Sequence, residues 1–304
     1  MKYPRLYVPT LAALLAGVTL SAIAAPPEDP WARENVQAWC IVPYDSKKRT
    51  PAERAQMLKD LRVRAFAYDF RQVHVPTFDE EATVMKQSGI EISAWWFPSQ
   101  LNDTARTILA TIDRQGIKPE LWVSRGGQPA SNSTEQSARV NQEAVALTPV
   151  VMEAKKRGLT VGLYNHGGWF GDPENQIEVL KVLRSQGFEN IGLVYNFHHA
   201  HPHIRNFDKI WPRISPYVIA VNLNGMVPDG DRLNKKIMFL GEGSEELGMM
   251  RIIRNSGWRG RVGVVSHVDT ADAAETLGRN LVAYDRLLAA LKAEPAEAPA
   301  KTKK

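Results

Sequence analysis

Short apolar runs alternate along this chain with longer stretches whose apolar positions recur every three or four residues. The first pattern fits buried strands and the second amphipathic helices. The runs VQAWCIV (36–42), RAFAYDF (64–70), IEISAWWF (90–97), PELWVS (119–124), TVGLYNH (160–166), IGLVYNF (191–197), YVIAVNLNG (217–225) and RVGVVSH (261–267) predict eight strands. Helical patterns follow them at 51–61, 77–89, 103–116, 133–157, 173–187, 204–214, 244–257 and 270–291. Several carry their own end signals. Thr50 stands as N-cap before Pro51, and glycines close the patterns at 89, 116 and 187.

Eight strand–helix units predict parallel strands joined by right-handed crossovers. Closure then gives an α/β fold, the (β/α)8 TIM barrel. An open doubly wound sheet is the alternative, but no Gly-x-Gly-x-x-Gly follows the first run.

In such a barrel the working face lies at the carboxyl ends of the strands. Those ends are rich in polar and aromatic residues. Tyr44 and Asp45 follow the first strand, and Asp69, Arg71 and His74 the second. Asn165, His166 and Trp169 follow the fifth, and Asn196 ends the sixth. Four of the seven histidines come next, at His198, His199, His201 and His203. Asn222 and Asn224 end the seventh strand, and Ser266 and His267 the eighth.

Aromatic rings suit the apolar face of a sugar, and amides, carboxylates and guanidinium groups satisfy its hydroxyls. A small-molecule carbohydrate is therefore the expected partner. Its substrate-binding candidates are Asp69, Arg71, Trp96, Asn165, Trp169, Asn196, Asn222 and Asn224. Strand alternation admits only one of Trp95 and Trp96 to the interior, without saying which. Asp69 and Arg71 either clamp hydroxyls or pair with each other. The asparagines form either a structural network or one that reads hydroxyls, and the second is favoured because they ring the mouth. Glu242 is either a carboxylate base reaching over the mouth or a solvated loop acid. His198 is expected to face away from the cavity. His201 and His203, which flank Pro202, are expected in solvent.

The ends of the chain have a different character. Residues 1–24 carry Lys2 and Arg5, then an apolar stretch, then Ala22-Ile23-Ala24, the pattern of a secretory signal peptide. An uncleaved anchor is the alternative. Residues 292–304 read as a disordered tail, leaving 25–291 for the barrel. The expected location is secreted or periplasmic. The net charge of +5 sits mostly in those ends, so the barrel is nearly neutral and nucleic acid is not an expected partner. With no other long apolar run, no membrane contact is expected after cleavage. The lone Cys40 has no internal disulfide partner and reads as a small buried hydrophobe.

GLYNHGGWFGDPENQ (162–176), VYNFHH (194–199), VNLNG (221–225), FLGEGSEEL (239–247) and SGWRGRVGVVSH (256–267) occur in that order. Together they resemble the xylose isomerase-like TIM barrels, the sugar phosphate isomerase/epimerase superfamily. The resemblance implies an enzyme that isomerises, epimerises or eliminates a sugar or keto-sugar by proton abstraction beside a carbonyl, and the amino-terminal pattern implies that it is exported. His166, His199 or Glu242 would exchange the proton. It also implies a divalent metal, whose ligand positions fall here at Tyr164, Asn196, Asn222 and about Val265. None of these is the expected ligand, and the usual carboxylates are absent. His166 and His199 match the histidines of the fifth- and sixth-strand motifs, and His267 lies two residues beyond Val265. These three are expected to meet near the axis, as a zinc site or as acid and base. The alternative is a non-catalytic carbohydrate-binding barrel. A nuclease reading is weaker, since its metal cluster is missing.

Overall fold

The computed structural model describes residues 29–294. The expected signal peptide lies outside them. In chain order the elements are β1 (Gln37–Trp39), α1 (Pro51–Asp60), β2 (Ala65–Tyr68), α2 (Phe78–Gln87), β3 (Glu91–Trp96), α3 (Asp103–Gln115), β4 (Glu120–Val123) and α4 (Ser133–Lys156). They continue with β5 (Val161–Tyr164), the short turn α5 (Gly168–Gly171), α6 (Pro173–Ser185), β6 (Ile191–Asn196), α7 (Phe207–Ile214), β7 (Val218–Leu223), α8 (Glu246–Asn255), β8 (Arg261–Val265) and α9 (Ala273–Ala293). Each strand pairs in parallel with the next, and β1 pairs with β8 through Ala38 opposite Val264, so the sheet closes into an eight-stranded barrel.

Local chemistry fixes the helix starts. Thr50 accepts the Glu53 N–H while the Glu53 carboxylate accepts the Thr50 N–H, a capping box on α1 with Pro51 pre-setting the first turn. Asp172 caps α6 before Pro173 by accepting the Glu174 N–H, and Asp272 caps α9 by accepting the Ala274 N–H. The last helix runs through Ala293, so the expected tail does not begin at Lys292.

Two apolar layers form. The larger lies between the strands and the helices, and holds Phe66, Trp95, Leu163 and Tyr195 among many others. Burial of each such side chain stabilises the fold by roughly 1.5–3 kcal/mol. The smaller layer fills the barrel: Trp39, Trp122 and Tyr164 pack against Ala67, Ala94, Ala220, Val194 and Val265. Three large rings fit inside because the facing positions are small. Gly263 is part of this economy, since a Cβ there would collide with the Asn222 amide oxygen. Below the rings, Ser93 Oγ donates to Gln37 Oε1 (2.6 Å), and Gln37 Nε2 donates to Asn222 Oδ1 (3.4 Å). These layers close the amino-terminal side, so any ligand enters from the carboxyl ends of the strands.

The first strand is shorter than its apolar run. Cys40 takes a left-handed backbone conformation (φ 60°), which ends β1 and turns the chain over the mouth.

Candidate active site

A cavity of about 270 Å³ opens at the carboxyl ends of the strands, lined by residues that follow β1, β2, β3, β5, β6 and β8. Its walls carry Trp39, Cys40, Tyr44, Asp69, Arg71, Trp96, Tyr164 and four imidazoles. The rings of His166, His199, His198 and His267 stand in a row, with neighbouring centroids 4.5, 3.8 and 5.5 Å apart. Tyr44 closes the row by packing on His267 at 3.6 Å. Strands five, six and eight thus bring His166, His199 and His267 to one cavity.

His198 joins them, contrary to expectation. Phe197–His199 is a 3₁₀ turn, not an extension of β6, so strand alternation no longer separates neighbouring side chains. Asn196 Oδ1 caps this turn by accepting the His198 N–H (3.3 Å). The other two loop histidines are also not free in solvent. His201 is buried, its ring nitrogens 2.9 Å from the Val227 carbonyl oxygen and 3.0 Å from that of Lys236. His203 Nδ1 meets the Tyr195 hydroxyl (3.1 Å).

Four buried polar atoms on the cavity wall have no hydrogen-bond partner among the described residues: Asp69 Oδ2, His198 Nδ1, His199 Nε2 and His267 Nδ1. Buried polar atoms are rarely left unpaired. All four belong to residues that line one cavity, where a polar ligand is the available partner.

Electrostatics sets the protonation of these groups. Burial holds every ring of the row neutral at neutral pH. It lowers His199 to about 2, helped by His166 and Lys236, and His267 to about 4, helped by Arg71. His166 and His198 are lowered for the same first reason. Burial acts in the opposite direction on Asp69 and raises its carboxyl to about 7, against the pull of Arg71 and the Val42 N–H. Burial also keeps the Tyr164 phenol and the Cys40 thiol protonated. The cavity therefore offers one carboxyl poised near neutrality among neutral N–H and O–H groups.

Tyr164 has a specific role on the floor. Its oxygen accepts from Trp39 Nε1 (2.9 Å) and from the Asn196 amide. With both lone pairs engaged, the phenol has only its proton left to give. It is an obligate donor on the cavity wall.

The remaining predicted residues divide. Trp96 lines the cavity, whereas Trp95 packs outside the barrel on Tyr68 and Phe78. Arg71 also lines it but does not pair with Asp69. Its guanidinium donates to the Asp69 and Phe70 carbonyl oxygens and to the Tyr44 hydroxyl. Trp169 does not reach the site. It packs on α4, where its Nε1 donates to Gln136 Oε1 (2.7 Å) and Arg139 lies over its ring.

The asparagines do not line the cavity, and their described hydrogen bonds run to neighbouring strands and loops. Asn165 exchanges two hydrogen bonds with the Asn196 backbone (2.8 and 3.1 Å) and straps β5 to β6. Asn196 serves Tyr164 and the His198 turn. Asn222 meets Gln37 below the floor. Asn224 fixes the loop after β7 through the Gly225 and Lys236 carbonyls and the Met238 N–H. Glu242 stands apart as well. It pairs with Arg279 and borders a neighbouring cavity of about 300 Å³, separated from the first by His267.

The donor set does not fit the divalent ion that the sequence resemblance implies. Its ligand positions hold a phenol engaged with an indole, two amides and Val265, which packs among apolar side chains. None of these four positions supplies a carboxylate to offset a dication. The three-histidine alternative finds no support either. Zinc needs nitrogens converging about 2 Å from one point. Among the described residues no three His, Cys, Asp or Glu side chains are grouped to hold a metal.

Sequence reasoning passed over Trp39, Cys40 and Tyr164 as cavity residues. Alternation from Gln37 and Gly162 marks Trp39 and Tyr164 as inward-facing. Nothing in the sequence announces the turn at Cys40.

Solved structures share this architecture. A 3-keto-D-glucoside 4-epimerase from E. coli superposes with a TM-score of 0.59 at 13% identity, over 85% of this chain and 99% of its own. An L-ribulose 3-epimerase gives 0.60 at 16% identity, over 88% and 99%. A xylose isomerase domain-containing protein from Salmonella typhimurium gives 0.63 at 13% identity, over 84% and 98%. The fold is that of the xylose isomerase-like TIM barrels. No protein-family model matches the chain, and no curated protein matches it.

Proposed function

We propose that the protein is an exported isomerase or epimerase acting on a keto-sugar by proton transfer beside the carbonyl. The observation that carries this reading is the convergence of four unpartnered buried polar atoms on one cavity, Asp69 Oδ2 among them. Solved structures with this fold include a keto-glucoside epimerase and a ribulose epimerase, which supports the same class of chemistry.

Asp69 is the base. A carboxyl near 7 is substantially ionised at neutral pH and still basic enough to take a proton from carbon. The electron pair left behind moves onto the carbonyl oxygen. That oxygen is met by donors already in place, the Tyr164 O–H and an imidazole N–H. Such preorganised donors act most strongly on charge that develops in the transition state. Neutral imidazole suits this role, because a ring lowered to about 2 stays uncharged and serves as a hydrogen-bond donor, not as an acid. Return of the proton by Asp69 to the neighbouring carbon on the same face, with the hydroxyl proton passing from one oxygen to the other, gives an isomer; delivery of a solvent proton to the original carbon from the opposite face gives an epimer. Trp96 and Trp39 supply apolar surface for the sugar ring.

A second reading has its own support. The missing carboxylate ligands favour a carbohydrate-binding barrel without turnover. One experiment separates the two. Incubation with a panel of ketoses in deuterium oxide, followed by proton NMR, gives loss of the signal beside the carbonyl if the protein is an enzyme. Binding by calorimetry with no deuterium uptake by any ketose supports the binding barrel.

A further inference from the structure

We propose that the ligand is a sugar acid whose carboxylate docks on Arg71; this rests on the reading of the cavity as a sugar site. The guanidinium lies at the rim and lines the cavity. Nη1 donates to the carbonyl oxygens of Asp69 (2.9 Å) and Phe70 (3.0 Å), and Nη2 donates to Tyr44 Oη (3.1 Å). The Tyr44 ring lies against the same group, 5.4 Å from its central carbon. The plane of the fork is therefore set before any ligand arrives.

These partners are all neutral. They fix the guanidinium without discharging it. Among the described residues no carboxylate stands within the 4.0 Å of an ion pair, although Asp69 lines the same cavity. An arginine has five N–H donors. Nε–H and one N–H of Nη2 have no described partner, and an adjacent pair of this kind matches the two oxygens of a planar carboxylate.

Nothing else on the wall offsets this charge fully. The imidazoles, phenols and thiol are neutral, and Asp69 is poised between its two forms. Lys236, though paired with Asp231 (3.4 Å), still adds to the positive field felt by His166, His198, His199 and His267. An acid group on the sugar supplies the missing counter-charge and fixes which end of the molecule faces the rim. A phosphate ester is the other anionic source. Its three terminal oxygens ask for more donors than one remaining pair, so the carboxylate is favoured.

Calorimetry on the purified full-length protein tests this with matched pairs: D-glucuronate against D-glucose, D-galacturonate against D-galactose, and 5-keto-D-gluconate against D-fructose, with D-glucose 6-phosphate as the phosphate arm. At least one acid binds ~10- to 100-fold tighter than its parent, the range for a charge-assisted pair. In Arg71→Gln the acid-to-parent ratio falls to near one. In Arg71→Lys, which keeps the charge and loses the fork, it falls part of the way. A melting temperature close to wild type shows that each variant folds, and a variant that does not melt cooperatively is replaced by Tyr44→Phe, which frees the fork and lowers the ratio. Equal affinities for acids and parents, a preference that survives Arg71→Gln, tightest binding of the phosphate, or no binding of any acid overturns the proposal. Binding needs no turnover. An acid preference without deuterium exchange keeps this inference and removes the enzymatic reading, and exchange of neutral ketoses alone does the reverse.

Discussion

Trp39 and Tyr164 meet across the barrel, the indole N–H of β1 donating to the phenol oxygen of β5 at 2.9 Å. This bond links opposite walls and, with the Asn196 amide on the same oxygen, leaves the phenol able only to donate. The position is where the sequence resemblance places a metal-binding carboxylate, so the centre of the barrel is held by hydrogen bonds between neutral groups.

Tyr164→Phe tests that arrangement. It strands the Trp39 N–H and the Asn196 amide in a buried layer. Each unsatisfied buried donor costs about 1–3 kcal/mol, so chemical denaturation shows a loss of that order. If the phenol also donates to the substrate, kcat for deuterium exchange falls by ~10²–10³, with a smaller change in KM. A stability loss with unchanged kcat removes Tyr164 from the chemistry.

Metal addition gives a separate check. Because the implied ligand positions carry no carboxylate and no three metal-binding side chains are grouped among the described residues, Mn²⁺ or Zn²⁺ in modest excess leaves the melting temperature unchanged. A concentration-dependent rise that disappears in His199→Ala contradicts this account of the site.

The pH dependence of stability has a defined sign. Asp69 titrates near 7 when folded and near 3.9 in an unfolded chain. Between those values the folded state holds a proton that the unfolded state has lost. Stability from this group is therefore full below about 4, and it falls as pH rises through 7, by a few kcal/mol. Asp69→Asn keeps an oxygen for the Val42 N–H and removes the charge. Its melting temperature exceeds that of wild type at pH 8, and the gap closes at pH 4. His267 works in the opposite sense. It is lowered to about 4 and costs stability as pH falls from 6.5 towards 4, so His267→Gln flattens the acid limb of the melting curve.

The loop after β7 is held by His201 through two of its carbonyl groups. His201→Ala releases both contacts and leaves a cavity. Limited proteolysis then cuts the wild type slowly and the variant readily between Asp229 and Lys236. Equal cutting rates show that Asn224 alone holds the loop.

Much of this fold was legible in the sequence because its signals are local. Thr50-Pro51 and Asp172-Pro173 announce helix starts, and the apolar runs announce strands within a residue or two except at the end of β1, where Cys40 turns the chain. The meeting of His166, His199 and His267 was legible for a similar reason: barrel topology places strand ends on one face. His198 was not, because a 3₁₀ turn replaced strand alternation just where alternation was used. The asparagines misled because a side-chain amide looks the same in sequence whether it binds a sugar or a neighbouring backbone. Asn165 and Asn224 took the second course. Glu242 misled because its partner, Arg279, is a long-range contact from α9.

Deuterium exchange into a ketose by Asp69→Asn and Glu242→Gln, measured side by side with wild type, tests the central claim most directly. Asp69 lines the cavity with an uncommitted oxygen, and Glu242 is tied to Arg279 outside it. The expected result is exchange lost by ~10³-fold or more in Asp69→Asn and kept within a few-fold in Glu242→Gln. Exchange retained in Asp69→Asn and lost in Glu242→Gln would contradict the account and move the chemistry to the neighbouring cavity.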